Sequence, residues 1–209
     1  VVLNLMDPLI APVKSQIASN RVRVVDSLEL DGEPIDSPLP GTHNIQNTRL
    51  AIEMALMLGL NKAEITRGLS SFKAAFGRTE IQTLSSGPLV LCDYYNANPT
   101  SMQAAFQLLD ELRKKERPLA RAILVLGDMR ELGPDQVLFH ENLLEPLFIL
   151  GFKNLYLIGP LMKSLDLLSG SRGIKSHHFT EPDELIAKLK QDLKPTDVVL
   201  IKGSRGMKL

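Results

Sequence analysis

The sequence predicts an α/β fold built on a mostly parallel, three-layer sheet. Two observations predict it. From Thr79 onward, short apolar runs alternate with amphipathic stretches of helical period, the spacing of strands joined by right-handed crossovers. Three of those runs also empty into loops loaded with polar residues, at the strand ends where open α/β sheets bind ligands.

Composition bounds the function. With 209 residues the chain is long enough for one large or two small domains, and 44% hydrophobic against 23% charged residues is the balance of a packed protein. The 24 basic and 24 acidic residues cancel, which argues against broad electrostatic binding to nucleic acid or an anionic membrane. The single Cys92 excludes an internal disulfide and reads as a small core residue of a reducing compartment. No apolar stretch approaches the roughly 20 residues of a membrane span. Val1–Ala18, broken by Asp7, Pro8, Pro12 and Lys14, does not read as a leader. A soluble, cytoplasmic monomer is expected, and a start on Val1 rather than methionine reads as a cut end.

Taken in order, Val22–Val25 and Ser27–Leu30 are candidate short strands, with a turn at Asp31–Pro34. The loop Leu39–Asn44 leads into a helix that runs to about Leu58 and stops at Gly59, with Ala51, Met54, Ala55 and Leu58 as its expected buried stripe. Asn61 caps a second helix, and Glu64 stands three residues later in a capping-box spacing. A boundary is expected near Phe76–Arg78, dividing the chain into 1–77 and 78–209.

Beyond it, Thr79–Leu84 and Pro88–Cys92 flank Ser85-Ser86-Gly87 and predict a hairpin. Asn98 is placed to cap a helix over Pro99–Lys115, with Pro99 at its first position and Met102, Ala105, Phe106, Leu109 and Leu112 on one face. Strand Ala122–Leu126, the loop Gly127–Gly133 and a helix from about Asp135 to Leu150 follow. Then come strand Asn154–Ile158, helix Leu161–Leu168, a short strand at His177–Phe179, helix Glu181–Leu193 and strand Asp197–Ile201. Adjacent residues of a strand face opposite ways, so His177 and His178 are not expected to form one metal site, and no metal ligand set is predicted.

The polar loops are Asp93–Asn98, Gly127–Gly133 and Lys202–Arg205. In a parallel sheet they lie at one edge and can converge on one ligand. Lys202-Gly203-Ser204-Arg205 offers two cations, a hydroxyl and glycine-freed amides, a set suited to a carboxylate or phosphate. The plainer reading is a solvated basic tail. Asp128 and Glu131 read as solvated loop acids or helix-start charges rather than ligands, and His140 either orients a loop group or water or is a satisfied structural histidine.

Five motifs then fall in register. They are Leu39-Pro40-Gly41-x-His43-Asn44-x-x-Asn47, Gly77-Arg78-x-Glu80, Asp93-x-Tyr95-Asn96-Ala97-Asn98-Pro99-x-Ser101-Met102, Leu126-Gly127-Asp128-Met129-x-Glu131-Leu132-Gly133 with His140, and Lys202-Gly203-Ser204-Arg205. Together, over about Leu39–Leu209, they resemble the Mur ligases of peptidoglycan synthesis, and the third resembles the members that add D-alanyl-D-alanine. The resemblance implies a Rossmann-like carboxyl-terminal domain at 78–209, preceded by the helical end of a central ATPase domain at 1–77. It implies that ATP, with Mg2+, phosphorylates the terminal carboxylate of UDP-N-acetylmuramoyl-tripeptide, and that the incoming amine attacks the acyl phosphate. On the same pattern Asn44 and Asn47 lie near adenine, and Arg78 and Asp93 near ribose or phosphates. Tyr95, Asn96, Asn98 and Ser101 shape the dipeptide site, while Lys202, Ser204 and Arg205 hold its carboxylate and steady the tetrahedral intermediate.

The departures matter as much. No Gly-x-x-x-x-Gly-Lys-Ser/Thr loop is present to cradle a triphosphate, and the UDP-sugar domain has no counterpart. The chain alone is therefore expected to be inactive. The alternatives are a sister ligase, either a Mur ligase that adds a different amino acid or a folylpolyglutamate synthase-like enzyme, and a non-catalytic nucleotide- or partner-binding Rossmann-like module.

Overall fold

A computed structural model describes residues 1–17 and 22–209. Ala18, at the end of the stretch weighed above as a leader, lies outside the described residues. The chain forms two compact units, Val1–Lys73 and Ala74–Leu209.

In the first unit β1 (Val2–Asn4) pairs in parallel with β2 (Arg23–Val25). A hairpin joins β3 (Glu29–Leu30) to β4 (Glu33–Pro34), and Asp31 and Gly32 both take positive φ at its turn, as a tight two-residue connection requires. Helices α1 (Thr42–Met57) and α2 (Lys62–Ser70) follow. The predicted capping box is present: Asn61 Oδ1 accepts from Glu64 N, and Glu64 Oε2 accepts from Asn61 N.

The predicted stripe of α1 is corrected. Met54 and Leu58 are 52% and 81% exposed, whereas Asn44, Thr48, Ile52 and Glu53 are buried. Helical spacing marks an apolar stripe but not the side on which the β1–β2 pair lies. On the covered side Glu53 is held by Arg49 and by Arg23, the latter at 2.9 Å. Burial alone would raise the Glu53 carboxyl, but the two guanidinium groups outweigh it and hold the group below its ordinary range.

The second unit is a six-stranded sheet. In chain order its elements are β5 (Glu80–Thr83), β6 (Leu89–Cys92), α3 (Pro99–Glu116), β7 (Ala122–Gly127), α4 (Gln136–Glu141) and α5 (Leu144–Ile149). They continue with β8 (Asn154–Ile158), α6 (Met162–Ser169), β9 (Lys175–Phe179), α7 (Pro182–Asp192) and β10 (Val198–Lys202). The spatial order is β5-β6-β10-β7-β8-β9, with only β5 antiparallel.

Alternation divides the core in two. Leu89, Leu91, Leu124, Leu126, Leu155, Leu157 and Leu200 pack on one side with α3, α5 and α6 residues such as Phe106, Leu147 and Leu165. Val90, Cys92, Ile123, Val125, Tyr156, Ile158 and Val199 pack on the other with Leu185 and Leu189 of α7. Cys92 is thus a core residue, its thiol pushed up chiefly by burial. His177 lies against the Tyr156 ring while His178 Nε2 meets Gly159 O, so the neighbouring rings serve different partners. The single helix expected over Asp135–Leu150 is two short ones. Pro146 has no N–H, and its ring would meet the carbonyl of Asn142, which is where the first helix ends.

The amino-terminal sheet edge is closed by arginines. Arg121 grips the fully buried Asp197 through Nε (3.1 Å) and Nη2 (2.8 Å), and Arg117 donates to the carbonyls of Gly87 and Pro195. Replacing Arg121→Ala leaves a buried carboxylate without its cation and should destabilise the second unit by about 3–5 kcal/mol in denaturant unfolding. The Glu53 contribution has the opposite dependence to a base. It is present above the ordinary glutamate value of 4.5 and fades as pH falls through the lower folded value. Glu53→Gln should therefore destabilise the chain by up to about 1 kcal/mol at pH 7, with the difference shrinking at pH 3. An unchanged difference would remove the ion pair from the account.

Candidate functional site

Strands β6, β10 and β7 are neighbours and parallel, so the three polar loops that follow them meet at the carboxyl edge of the sheet. The turn after β6 is held at both ends. At its far end Asn98 Oδ1 accepts from Ser101 N (2.8 Å) and Ser101 Oγ accepts from Asn98 N (3.0 Å), a capping box that opens α3 behind Pro99. At its near end Asp93 N donates to Ile201 O of β10, and Asp93 Oδ1 accepts from Thr79 N at 3.2 Å. Tyr95 N donates to Gly77 O at 2.9 Å. Gly77 has φ +67°, and a Cβ there would stand 2.7 Å from the Tyr94 ring, so no larger residue fits against that aromatic wall.

Two exposed arginines flank the turn. The guanidinium carbons of Arg78 and Arg205 lie 4.2 and 5.6 Å from the centre of the Tyr95 ring. Such contacts orient the guanidinium planes while leaving their N–H groups to a ligand. Lys202 behaves differently. It is 1% exposed, and Nζ donates to Asp93 Oδ2 (2.5 Å), Asn96 O (3.0 Å) and Asp93 O (3.3 Å). Burial pushes its ammonium below the ordinary lysine range, with the Asp93 carboxylate pulling the other way. Sequence alone treats Lys202 and Arg205 as two equivalent cations; the fold turns one inward and the other out.

The loop after β7 is a scaffold for the loop after β10. Ser204 N donates to Asp128 O (3.1 Å), and Arg130 N donates to Ser204 Oγ (2.8 Å). Asp128 is a helix-start acid and not a solvated one: it is 3% exposed and its Oδ1 accepts from Met162 N at 2.9 Å. Gly159 makes room for it, since a Cβ there would lie 2.4 Å from the Asp128 carboxyl carbon. His140 is wholly buried and orients the loop. Its Nδ1 donates to Gln136 O (2.6 Å), which leaves Nε2 to accept from Met129 N (2.9 Å).

The predicted residues thus divide. Arg78, Asp93, Tyr95, Asn96, Asn98, Ser101, Lys202, Ser204 and Arg205 all belong to the second unit's carboxyl-edge loops or to the turn that packs on them. Asn44 and Asn47 belong to the first unit, at the start of α1. Asn44 is buried and donates from Nδ2 to Pro40 O (2.7 Å), and Asn47 is exposed. Thr79, Gly159 and Met162 were missed. Gly159 before Pro160, at the end of an apolar run, was the available signal; a main-chain amide such as Thr79 N leaves none. No group of three or more His, Cys, Asp or Glu residues suited to a metal exists among the described residues, and both Asp93 oxygens are engaged. The exposed arginines suit an anionic nucleotide or carboxylate.

The histidine bond gives a direct test. His140→Leu, an apolar side chain of similar size, removes both the acceptor for Met129 N and the donor to Gln136 O. It should destabilise the second unit by about 1–3 kcal/mol and shift the Met129 and Arg130 amide resonances.

Comparison with known proteins agrees with this geometry. Residues 77–205 match the family model described as "Mur ligase, glutamate ligase domain". The UDP-N-acetylmuramoyl-tripeptide--D-alanyl-D-alanine ligase of Bacillus subtilis is 32% identical over 180 residues, covering 82% of this chain and 37% of the relative. Its Escherichia coli counterpart is 35% identical over 171 residues, covering 81% and 36%. A crystal structure of MurF from Acinetobacter baumannii superposes with a TM-score of 0.76 at 26% identity, over 98% of this chain and 48% of that one. The chain thus spans less than half the length of each of these relatives. With the family match covering most of the sheet unit and all three carboxyl-edge loops, the chain belongs to the Mur ligase family.

Proposed function

We propose that this chain is the carboxyl-terminal part of an ATP-dependent amide ligase that adds D-alanyl-D-alanine to UDP-N-acetylmuramoyl-tripeptide. The observation that carries the proposal is the Tyr95 turn, held between Arg78 and Arg205 at the sheet's carboxyl edge. The printed activity of the Bacillus subtilis and Escherichia coli relatives supports it. Residues 1–77 then stand as the end of a central ATPase domain, and 78–209 as the carboxyl-terminal domain.

Bound ATP supplies the phosphoryl group that activates the tripeptide's terminal carboxylate. This chain's residues place the partners. Arg205, exposed and oriented by the Tyr95 ring, takes the dipeptide carboxylate, and the buried Ser204 fixes the loop from which it projects. Arg78 faces the phosphates, while Asp93 is directed at ribose. Asn44 and Asn47 are assigned to adenine. Tyr95 and Asn96 form the wall of the dipeptide site, and Asn98 and Ser101 act through the capping box that sets that wall. The phosphate cradle and the Mg2+ ligands would come from residues outside these 209.

The test is phosphate release with ATP, UDP-muramoyl tripeptide and D-alanyl-D-alanine, comparing this chain with the full-length protein that carries it. Activity is expected only in the longer protein. Arg205→Ala should raise the Michaelis constant for the dipeptide by about 10–100-fold, the loss of one charge-assisted pair, with that for ATP unchanged. A silent full-length protein, or turnover by this chain alone, would overturn the reading.

A further inference from the structure

Lys202 stands among three oxygens, and an ammonium has three protons to give. Asp93 Oδ2, Asp93 O and Asn96 O take all of them, and with 1% exposure nothing is left for an incoming carboxylate. All three acceptors belong to one turn. Asp93 begins it, Asn96 lies on the far side of Tyr94 and Tyr95, and the lysine reaches both from the end of β10. The other Asp93 oxygen is taken by Thr79 N, so the carboxylate is held from both sides. A buried cation and its carboxylate depend on each other, because removing either strands the other's charge. Arg205, by contrast, is exposed on the same loop and its guanidinium lies over a ring.

We infer that Lys202 is a positioning residue that fixes the Asp93 carboxylate and the Tyr95–Asn96 main chain as one unit, and that it does not touch the dipeptide's carboxylate. The ammonium couples a carboxylate assigned to the nucleotide to the wall assigned to the acceptor. The identity of those two ligands rests on the function proposed above; the placement of the lysine does not.

The experiment has two arms. In this 209-residue chain, nitrogen-15 NMR should show the Lys202 ammonium in slow exchange, with contacts to Asp93 and Asn96. Lys202→Met should move the amide resonances of Tyr94–Ala97 while those of Leu155–Ile158 stay in place. An ammonium exchanging like that of a surface lysine overturns the proposal, whatever the enzyme's substrate. In the full-length protein, kcat/KM is measured for D-alanyl-D-alanine and for its carboxyl-terminal amide, which lacks the negative charge. Lys202→Met should lower both by about 10–100-fold and raise the Michaelis constant for ATP, with the acid-to-amide ratio held within about threefold. Arg205→Ala should collapse that ratio. A tenfold or greater fall of the ratio in Lys202→Met, with ATP binding intact, would make the lysine a direct ligand and overturn the inference. Lys202→Gln, which keeps two N–H donors, replaces the methionine variant if that fails to fold. A full-length protein silent toward both dipeptides sinks the proposed function, and the first arm still decides the lysine.

Discussion

Apolar burial on both faces of the sheet leaves its two ends as the places where strands can carry polar chemistry. Val198, Val199 and Leu200 of β10 are each at most 1% exposed, and β7 is buried along its whole length. Side chains that need water or charge partners are thereby driven to the edges. At the amino-terminal edge the result is structural, with Arg117 and Arg121 tying strand entries together around Asp197. At the carboxyl-terminal edge three adjacent strand ends release loops that bond to one another, and two guanidinium groups are left facing outward.

Much of the unit from Ala74 onward was legible because its signals are local. Apolar runs of four to six residues marked strands such as β6 and β7, and Asn98 followed by Pro99 marked the start of α3. The order of polar loops along the chain was enough to bring them to one edge once the strands were parallel. What could not be read depends on partners far away in sequence. The face of α1 is set by β1 and β2, whose residues precede it by 17 or more positions, and period alone cannot choose between two stripes. The break between α4 and α5 does have a local mark in Pro146.

The Lys-Gly-Ser-Arg loop shows the same limit at the site. Two cations three residues apart look alike in sequence. Lys202 is drawn inside because Asp93, 109 residues earlier, supplies a carboxylate in the neighbouring strand's exit turn. Arg205 follows the strand end and lies over Tyr95 instead. Chemistry that reads as one cluster is thus divided into a buried clamp and an exposed grip, and only the fold reveals the division. His140 belongs to the first kind, since its ring nitrogens are both used within the protein.

The position of β10 has a further consequence. The last strand of this sequence is inserted between β6 and β7, so its pairs Val198↔Leu89 and Val198↔Ala122 span most of the unit. Until those residues leave the ribosome, β6 and β7 have no partner between them, and the sheet exists as two separate pieces with apolar edges open. Formation of the carboxyl-edge cluster therefore waits on β10. A nascent chain stalled a few residues short of Val198 would be a client for chaperones rather than a partly working domain.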